Sequence, residues 1–212
     1  MTPRLISVCL LFVTVCSLTA CQRESDDQGQ AAGPPPQPSP PIVAAARSQI
    51  GKTVHYDGSY VRLDYPMGDV PIDRGVCTDV VVRALREALG VDLQQLLHED
   101  MKTAFSAYPT KWGLRAPDSN IDHRRVPNLR CYFERKGYSV GVSQNKHDYL
   151  PGDLVTCKIS KLTHIMIVSD RKTFSGVPLV IHNGGSGTRE NNNLFDYQLT
   201  GHYRVTSPAS AP

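Results

Sequence analysis

This sequence has little net charge to bind with. In 212 residues, 23 Lys and Arg stand against 20 Asp and Glu, a formal charge of +3. That balance leaves no electrostatic footprint for nucleic acid, and no nucleic-acid partner is expected. Long apolar runs are also missing. Leu5 to Leu18 falls short of the roughly 20 residues a membrane span needs, so a multi-span membrane protein is excluded. No internal repeat divides the chain. His98-Glu99-Asp100 comes nearest to a metal motif, but no HExxH or HxH accompanies it. Gly184-Gly185-Ser186-Gly187 lacks the Lys-Ser/Thr of a phosphate-binding loop and reads as a flexible lip of a cleft. Ser169-Asp170-Arg171-Lys172 has the SxxK spacing without its S-D-N and K-T-G companions. No metal and no cofactor are therefore expected.

The 40% hydrophobic content does supply a core and rules out wholesale disorder. The length suits one globular domain with appendages, expected to be a monomer.

The N-terminus reads as an address. Arg4 precedes the apolar run Leu5–Leu18, which fits the h-region of a secretory signal. Leu18-Thr19-Ala20-Cys21 follows and resembles the lipobox of bacterial lipoproteins. Residues 1–20 are then a signal peptide, and Cys21 becomes the lipidated first residue of the mature chain. By the same resemblance, Gln22 after the lipidated Cys points to the outer membrane, facing the periplasm. Acyl chains on Cys21, not charge, would hold the protein to its membrane. Residues 21–41 form a tether, with Pro34 to Pro41 so rich in proline that it stays extended. The folded domain is expected over 42–206, and 207–212 as a frayed tail.

The six cysteines look at first like three disulfides, but they separate by position. Cys9 and Cys16 leave with the signal peptide, and Cys21 takes lipid. Cys131 and Cys157 are either a disulfide or buried thiols. Cys77 remains.

Within the domain, helices come first and strands afterwards, which defines an α+β fold. Ile42 to Ile50 reads as a helix closed by Gly51. Val76 to Leu89 is the clearest helix: Val80, Val81, Ala84, Leu85, Ala88 and Leu89 share one face, with Arg83, Arg86 and Glu87 turned away. Leu93 to Phe105 and Val126 to Lys136 read as further helices. Tyr138–Val142, Asp153–Ile159, His164–Ser169, Val177–His182 and His202–Thr206 read as strands.

Chemistry gathers at the element boundaries. In Gly75-Val76-Cys77-Thr78-Asp79, the thiol sits in the first turn of the best helix, where free amides and the helix dipole should lower its pKa. A small Cys packing a helix start is the plainer alternative. His164 opens an apolar strand after the turn Pro151-Gly152-Asp153 and could serve as a general base for Cys77. If the next strand returns as a hairpin folding near Thr173, His182 faces His164 directly; a slip of one would substitute Asn183. Such a group fixes the tautomer of the base.

The order Cys at a helix start, His at a strand start, then a polar residue on the next strand resembles papain-like cysteine peptidases. Pro151-Gly152-Asp153-Leu154-Val155 and His164-Ile165-Met166-Ile167-Val168 resemble the NlpC/P60 branch, which cleaves peptide bonds in bacterial cell walls. The chain resembles more closely the family called domain of unknown function 1287. This rests on Gly75–Arg83, Asn120–Asn128, Pro151–Thr156, His164–Asp170, Ile181–Gly184 and Gly201–Arg204. The resemblance implies a papain-like fold, Cys77 as nucleophile, His164 as base and His182 as third member. It also implies a tyrosine near the oxyanion, for which Tyr65 is the candidate. Thr78-Asp79 stands where that branch has Ser-Gly. The implied activity is amide hydrolysis in peptidoglycan stem peptides; a non-catalytic wall- or protein-binding lipoprotein is the alternative. Asp79, His123, Arg124, Arg125 and Asn183 are candidates for the pocket wall. The arginines could hold a substrate carboxylate or pin a loop to Asp118, Asp122 or Asp79.

Overall fold

The computed structural model describes residues 38–206. The expected signal peptide, the lipobox with Cys21, most of the tether and the 207–212 tail lie outside the described residues. Helix α1 runs Pro41–Arg47, and short strands β1 (His55–Tyr56) and β2 (Arg74–Gly75) follow. Then come α2 (Cys77–Leu89), α3 (Leu93–Ala104) and α4 (Val126–Arg135). The C-terminal half holds β3 (Leu154–Ile159), β4 (Leu162–Lys172), β5 (Pro178–Asn183), β6 (Thr188–Asn191) and β7 (Gln198–Tyr203). These five strands form one antiparallel sheet in the order β6-β5-β4-β3-β7. The α+β architecture expected from the sequence is present.

The period of two along each strand sorts side chains into two cores. Leu154, Ile165, Ile167 and Ile181 face the helices, meeting Val80, Val81, Ala84 and Leu85 of α2 and Leu129 and Phe133 of α4. Val155, Cys157, Met166, Val168 and Val180 face the other way, covered by Tyr149 and Leu194. Each fully buried Leu or Ile contributes about 1.5–3 kcal/mol relative to exposure.

Helix α2 is the centre of this packing. Gly90 ends it in the left-handed conformation, φ 66°. Arg83 was expected to face solvent, but the whole stretch Cys77–Leu85 is buried. The 53–74 segment folds over the outer side of the helix. Arg83 is the post it wraps: the guanidinium pairs with Asp69, donates to Thr53 Oγ1, and donates to the carbonyls of Val70, Pro71 and Arg74. A helical period locates a charged residue on a face; it does not reveal that a loop later covers that face.

Strand β6 was not foreseen. Its sequence Thr-Arg-Glu-Asn has no apolar alternation, because it is a sheet edge where charge is tolerated. The expected strand at Tyr138–Val142 reduces to an isolated bridge between Ser139 and Tyr203. The last strand begins at Gln198, four residues before the expected start at His202. Cys131 and Cys157 are both free: Cys131 borders the helix-side core, while Cys157 lies in the core on the opposite face of the sheet.

Candidate active site

The β4–β5 hairpin sets the site. Ile167 pairs with Ile181 and Val168 with Val180, so the register is offset by two residues from a direct His164–His182 pairing. An offset of two preserves the side-chain face. The two histidines therefore meet diagonally: His164 Nε2 lies 2.8 Å from His182 Nδ1, with the rings at 81°. Paired positions between the strands begin only at Ile167, leaving the first residues of β4 free to meet other partners.

Cys77 meets this strand end through the backbone of Ile165. It occupies the first turn of α2, and backbone hydrogen bonds from Ile165, Thr78 and its own amide favour its thiolate. Ile165, whose backbone meets the thiol, directly follows His164 on β4. Ile165 packs with Cys77 in the helix-side core, so the period of two turns the His164 ring toward the opposite face of the sheet. His164 Nδ1 carries no hydrogen bond among the described residues, which leaves this ring nitrogen open as a proton acceptor. Cys77 borders a groove of about 160 Å³ whose wall includes Tyr56, Trp112, Arg124, Arg125 and Thr163.

The expected fall in the thiol pKa does not occur. Cys77 is 4% exposed, and burial pushes its pKa up to about 12, with the Asp79 charge adding to the rise against the backbone amides. Desolvation of the charged form outweighs the helix N-terminus. Burial, with the neighbouring His182, likewise pushes His164 down to about 3. Burial also lowers His182, against a smaller opposing effect of Asn193. Burial thus favours the neutral forms of the thiol and of both imidazoles, not a thiolate–imidazolium ion pair.

The other candidates divide between wall and scaffold. Asp79 accepts from the Val76 amide at 2.6 Å, closing the first turn of α2. Its carboxylate also receives Arg124 in two bonds of 2.9 and 3.0 Å. Gly75 makes room for it: a Cβ there would lie 2.9 Å from Asp79 Oδ2. Arg124 donates further to the carbonyls of Asp57 and Ser59. It borders the groove but is fully engaged, so it pins the loop that carries Tyr56 and is not free for a substrate carboxylate. Arg125 pairs with Asp122 at 2.9 Å and stacks on Trp112, 4.2 Å from the ring centre, which makes it a wall residue. Asn183 donates to the carbonyls of Gly75 and His55, locking the end of β5 to the β1–β2 ladder just before Cys77. His123 is buried at 2% exposure and does not line the groove. Burial, helped by Arg124, pushes its pKa down to about 4.

Tyr65 does not reach the site. It packs edge-on against His98 of α3, with ring centres 5.1 Å apart. Tyr56 borders the groove instead: β1 pairs in parallel with β2, setting Tyr56 beside Gly75. Burial and then the charges of Cys77 and Asp79 raise its phenol pKa. Counting back a fixed distance from Cys77 missed Tyr56 because the long loop to Arg83 lies between the two. Trp112 was also missed, although it is the sole tryptophan of the chain.

Fold and site together define an α+β domain with a buried thiol, Cys77, at an aromatic groove and a buried His164–His182 pair on the sheet. Residues 43–205 match the family described as domain of unknown function (DUF1287), and the chain belongs to that family. It is also 54% identical, over 164 residues, to a protein of Escherichia coli (strain K12) described as uncharacterized protein YijF. That match covers 77% of this chain and 80% of the relative.

Proposed function

We propose that this protein is a cysteine hydrolase of the bacterial envelope, held to the outer membrane by lipid on Cys21, that cleaves an amide bond in peptidoglycan stem peptides. The reading places the domain among papain-like enzymes, near the NlpC/P60 branch. The observation that supports it is the 2.8 Å bond between His164 Nε2 and His182 Nδ1, on a strand whose Ile165 backbone meets Cys77; the reading needs His164 Nδ1 to be the proton-accepting nitrogen.

Because the free thiol is protonated, Cys77 acts only as His164 removes its proton during attack. Sγ bonds to the amide carbon, and the oxyanion is met by the Cys77 amide and Tyr56. His164 passes the proton to the leaving nitrogen, and the C–N bond breaks to leave a thioester. Water then attacks, giving its proton to His164. The C–S bond breaks, and that proton returns to Cys77. His182 holds the imidazole throughout. Envelope location and the stem-peptide substrate rest on the lipobox and on the resemblance of the strand motifs.

The burial and raised pKa of Cys77 favour a second reading, a non-catalytic wall-binding lipoprotein on the same fold. Digestion of purified wall fragments separates the two. The wild type should release a defined product by mass spectrometry that Cys77→Ala does not. Absence of any amide cleavage by the wild type, with retained wall binding, would leave the binding module.

A further inference from the structure

The two ends of strand β4 differ in character. Thr163, near its start, lines the Cys77 groove. Lys172, its last residue, lies nine positions on, roughly 30 Å away at the usual rise of a strand. The turn to β5 follows, and there Phe174 is fully exposed at 112%.

A single exposed apolar side chain is ordinary. What distinguishes Phe174 is its company. Lys172 is exposed and has no carboxylate partner among the described residues. Arg171 is 63% exposed, although it touches Glu190. Lys146 reaches over from another segment and donates to the Ser175 carbonyl in the turn itself. The nearby carboxylates are committed elsewhere: Asp170 and Glu190 turn in to Arg47, and Asp148 accepts from Asn145. Leu150, 47% exposed, lies at the same end of the sheet, since Gly152 two residues on donates to the Val168 carbonyl. An aromatic ring and a leucine ringed by three outward cations match the boundary of an anionic bilayer, where apolar groups enter and cations meet phosphate.

The chain outside the described residues joins the domain on this same rim. Ser39 accepts from Arg47 at 2.8 Å, and Arg47 pairs with Asp170, four residues before Phe174. Ile42 of α1 packs on Gly152, where a Cβ would lie 2.5 Å from Ile42 Cγ2. A leash fastened here gives this rim the highest effective concentration at the surface that holds the leash.

We propose that the β4–β5 turn docks on an anionic bilayer, with Phe174 and Leu150 entering the headgroup region and Lys146, Arg171 and Lys172 meeting lipid phosphates. The bilayer itself rests on the envelope reading. The orientation goes beyond it: the Cys77 groove, at the opposite end of β4, faces away from lipid and toward the wall.

A local probe tests this. The full chain, with 4-fluorophenylalanine at position 174, is placed on vesicles of phosphatidylethanolamine and phosphatidylglycerol that contain a lipid bearing a nitroxide near its headgroup. The fluorine signal should relax roughly fivefold faster than that of a chain labelled at Phe105, which lies beside Trp112 on the helix side. Exchanging both lysines, Lys146→Glu with Lys172→Glu, should cut the enhancement at 174 by roughly threefold or more. Equal relaxation at the two labelled positions overturns the docking surface. An unchanged enhancement in the double variant, or in vesicles of phosphatidylcholine alone, overturns the anionic partner. The mass of the N-terminal peptide reports lipid on Cys21 separately. A chain without that lipid whose 174 signal still relaxes faster on added vesicles loses the lipoprotein reading and keeps the docking surface. A lipidated chain whose 174 signal is unaffected loses the docking surface alone.

Discussion

His182 holds His164 from a diagonal position across the β4–β5 hairpin, Nδ1 to Nε2 at 2.8 Å. Gly184 makes this possible. A Cβ at Gly184 would lie 3.0 Å from His182 Cε1 and 3.2 Å from its Nδ1. Gly184→Ala should therefore displace the His182 ring and break its bond to His164 at a cost of about 1–3 kcal/mol, as for other overpacked sites. Urea denaturation reads the cost, and loss of the shared imidazole hydrogen in NMR spectra reads the broken bond. An unchanged spectrum would show that the loop yields instead.

Alkylation tests the state of Cys77. With the thiol pushed up to about 12 by burial, the free folded protein should react with iodoacetamide at pH 7 far more slowly than the same protein in denaturant. Mass spectrometry of the Cys77 peptide gives both rates. Faster labelling in the folded protein would mean a thiolate that the buried geometry does not provide.

The Arg124–Asp79 pair is closed off from water, with side chains 2% and 3% exposed. Arg124→Ala leaves Asp79 buried without its partner and should destabilise the domain by about 3–5 kcal/mol. Arg124→Lys should recover only part, since an ammonium cannot reproduce the two parallel bonds or reach both loop carbonyls. Stability of both variants and of Asp79→Asn, combined in a double-mutant cycle, measures the coupling.

Stability should fall as the solution turns mildly acidic. Burial holds His164 down to about 3 and His123 down to about 4, and lowers His182 as well. Unfolded histidines bind protons near pH 6.5, so below that value the unfolded chain takes up protons that the folded chain refuses. Stability is full above about pH 6.5 and declines toward the folded values. At pH 5 each of His164 and His123 should cost about 2 kcal/mol relative to pH 7, at 1.36 kcal/mol per unit of pKa difference. Buried carboxylates with lowered pKa, such as Asp100 and Asp153, lose their contribution only at still lower pH. Thermal unfolding from pH 7 to 5 should show the decline. His123→Leu should reduce it by about one histidine's share, and a flat profile would contradict the burial of these rings.

Much of this was written locally in the chain. The apolar period of Val76–Leu89 and its closing Gly90 define α2 because a helix repeats every 3.6 residues wherever it packs. The His-Ile-Met-Ile-Val run defines β4, and of Cys77, His164 and His182 the fold brings the two histidines into contact. Tertiary structure decided what those residues experience. The sequence puts Cys77 at a helix start, which favours a thiolate, but only packing under the sheet buries it deeply enough to reverse the sign. The face shared by His164 and His182 follows from a period of two, whereas their diagonal contact depends on where the hairpin turns. Arg124 and Arg125 look alike in sequence. One is consumed by Asp79 and two loop carbonyls, while the other stacks on Trp112. Tyr56 reaches the groove because β1 pairs with β2 across a loop organised by Arg83. Local pattern determines which elements form and which face is apolar; long-range contacts fix burial and hydrogen-bond partners, and so the charge state of every group in the site.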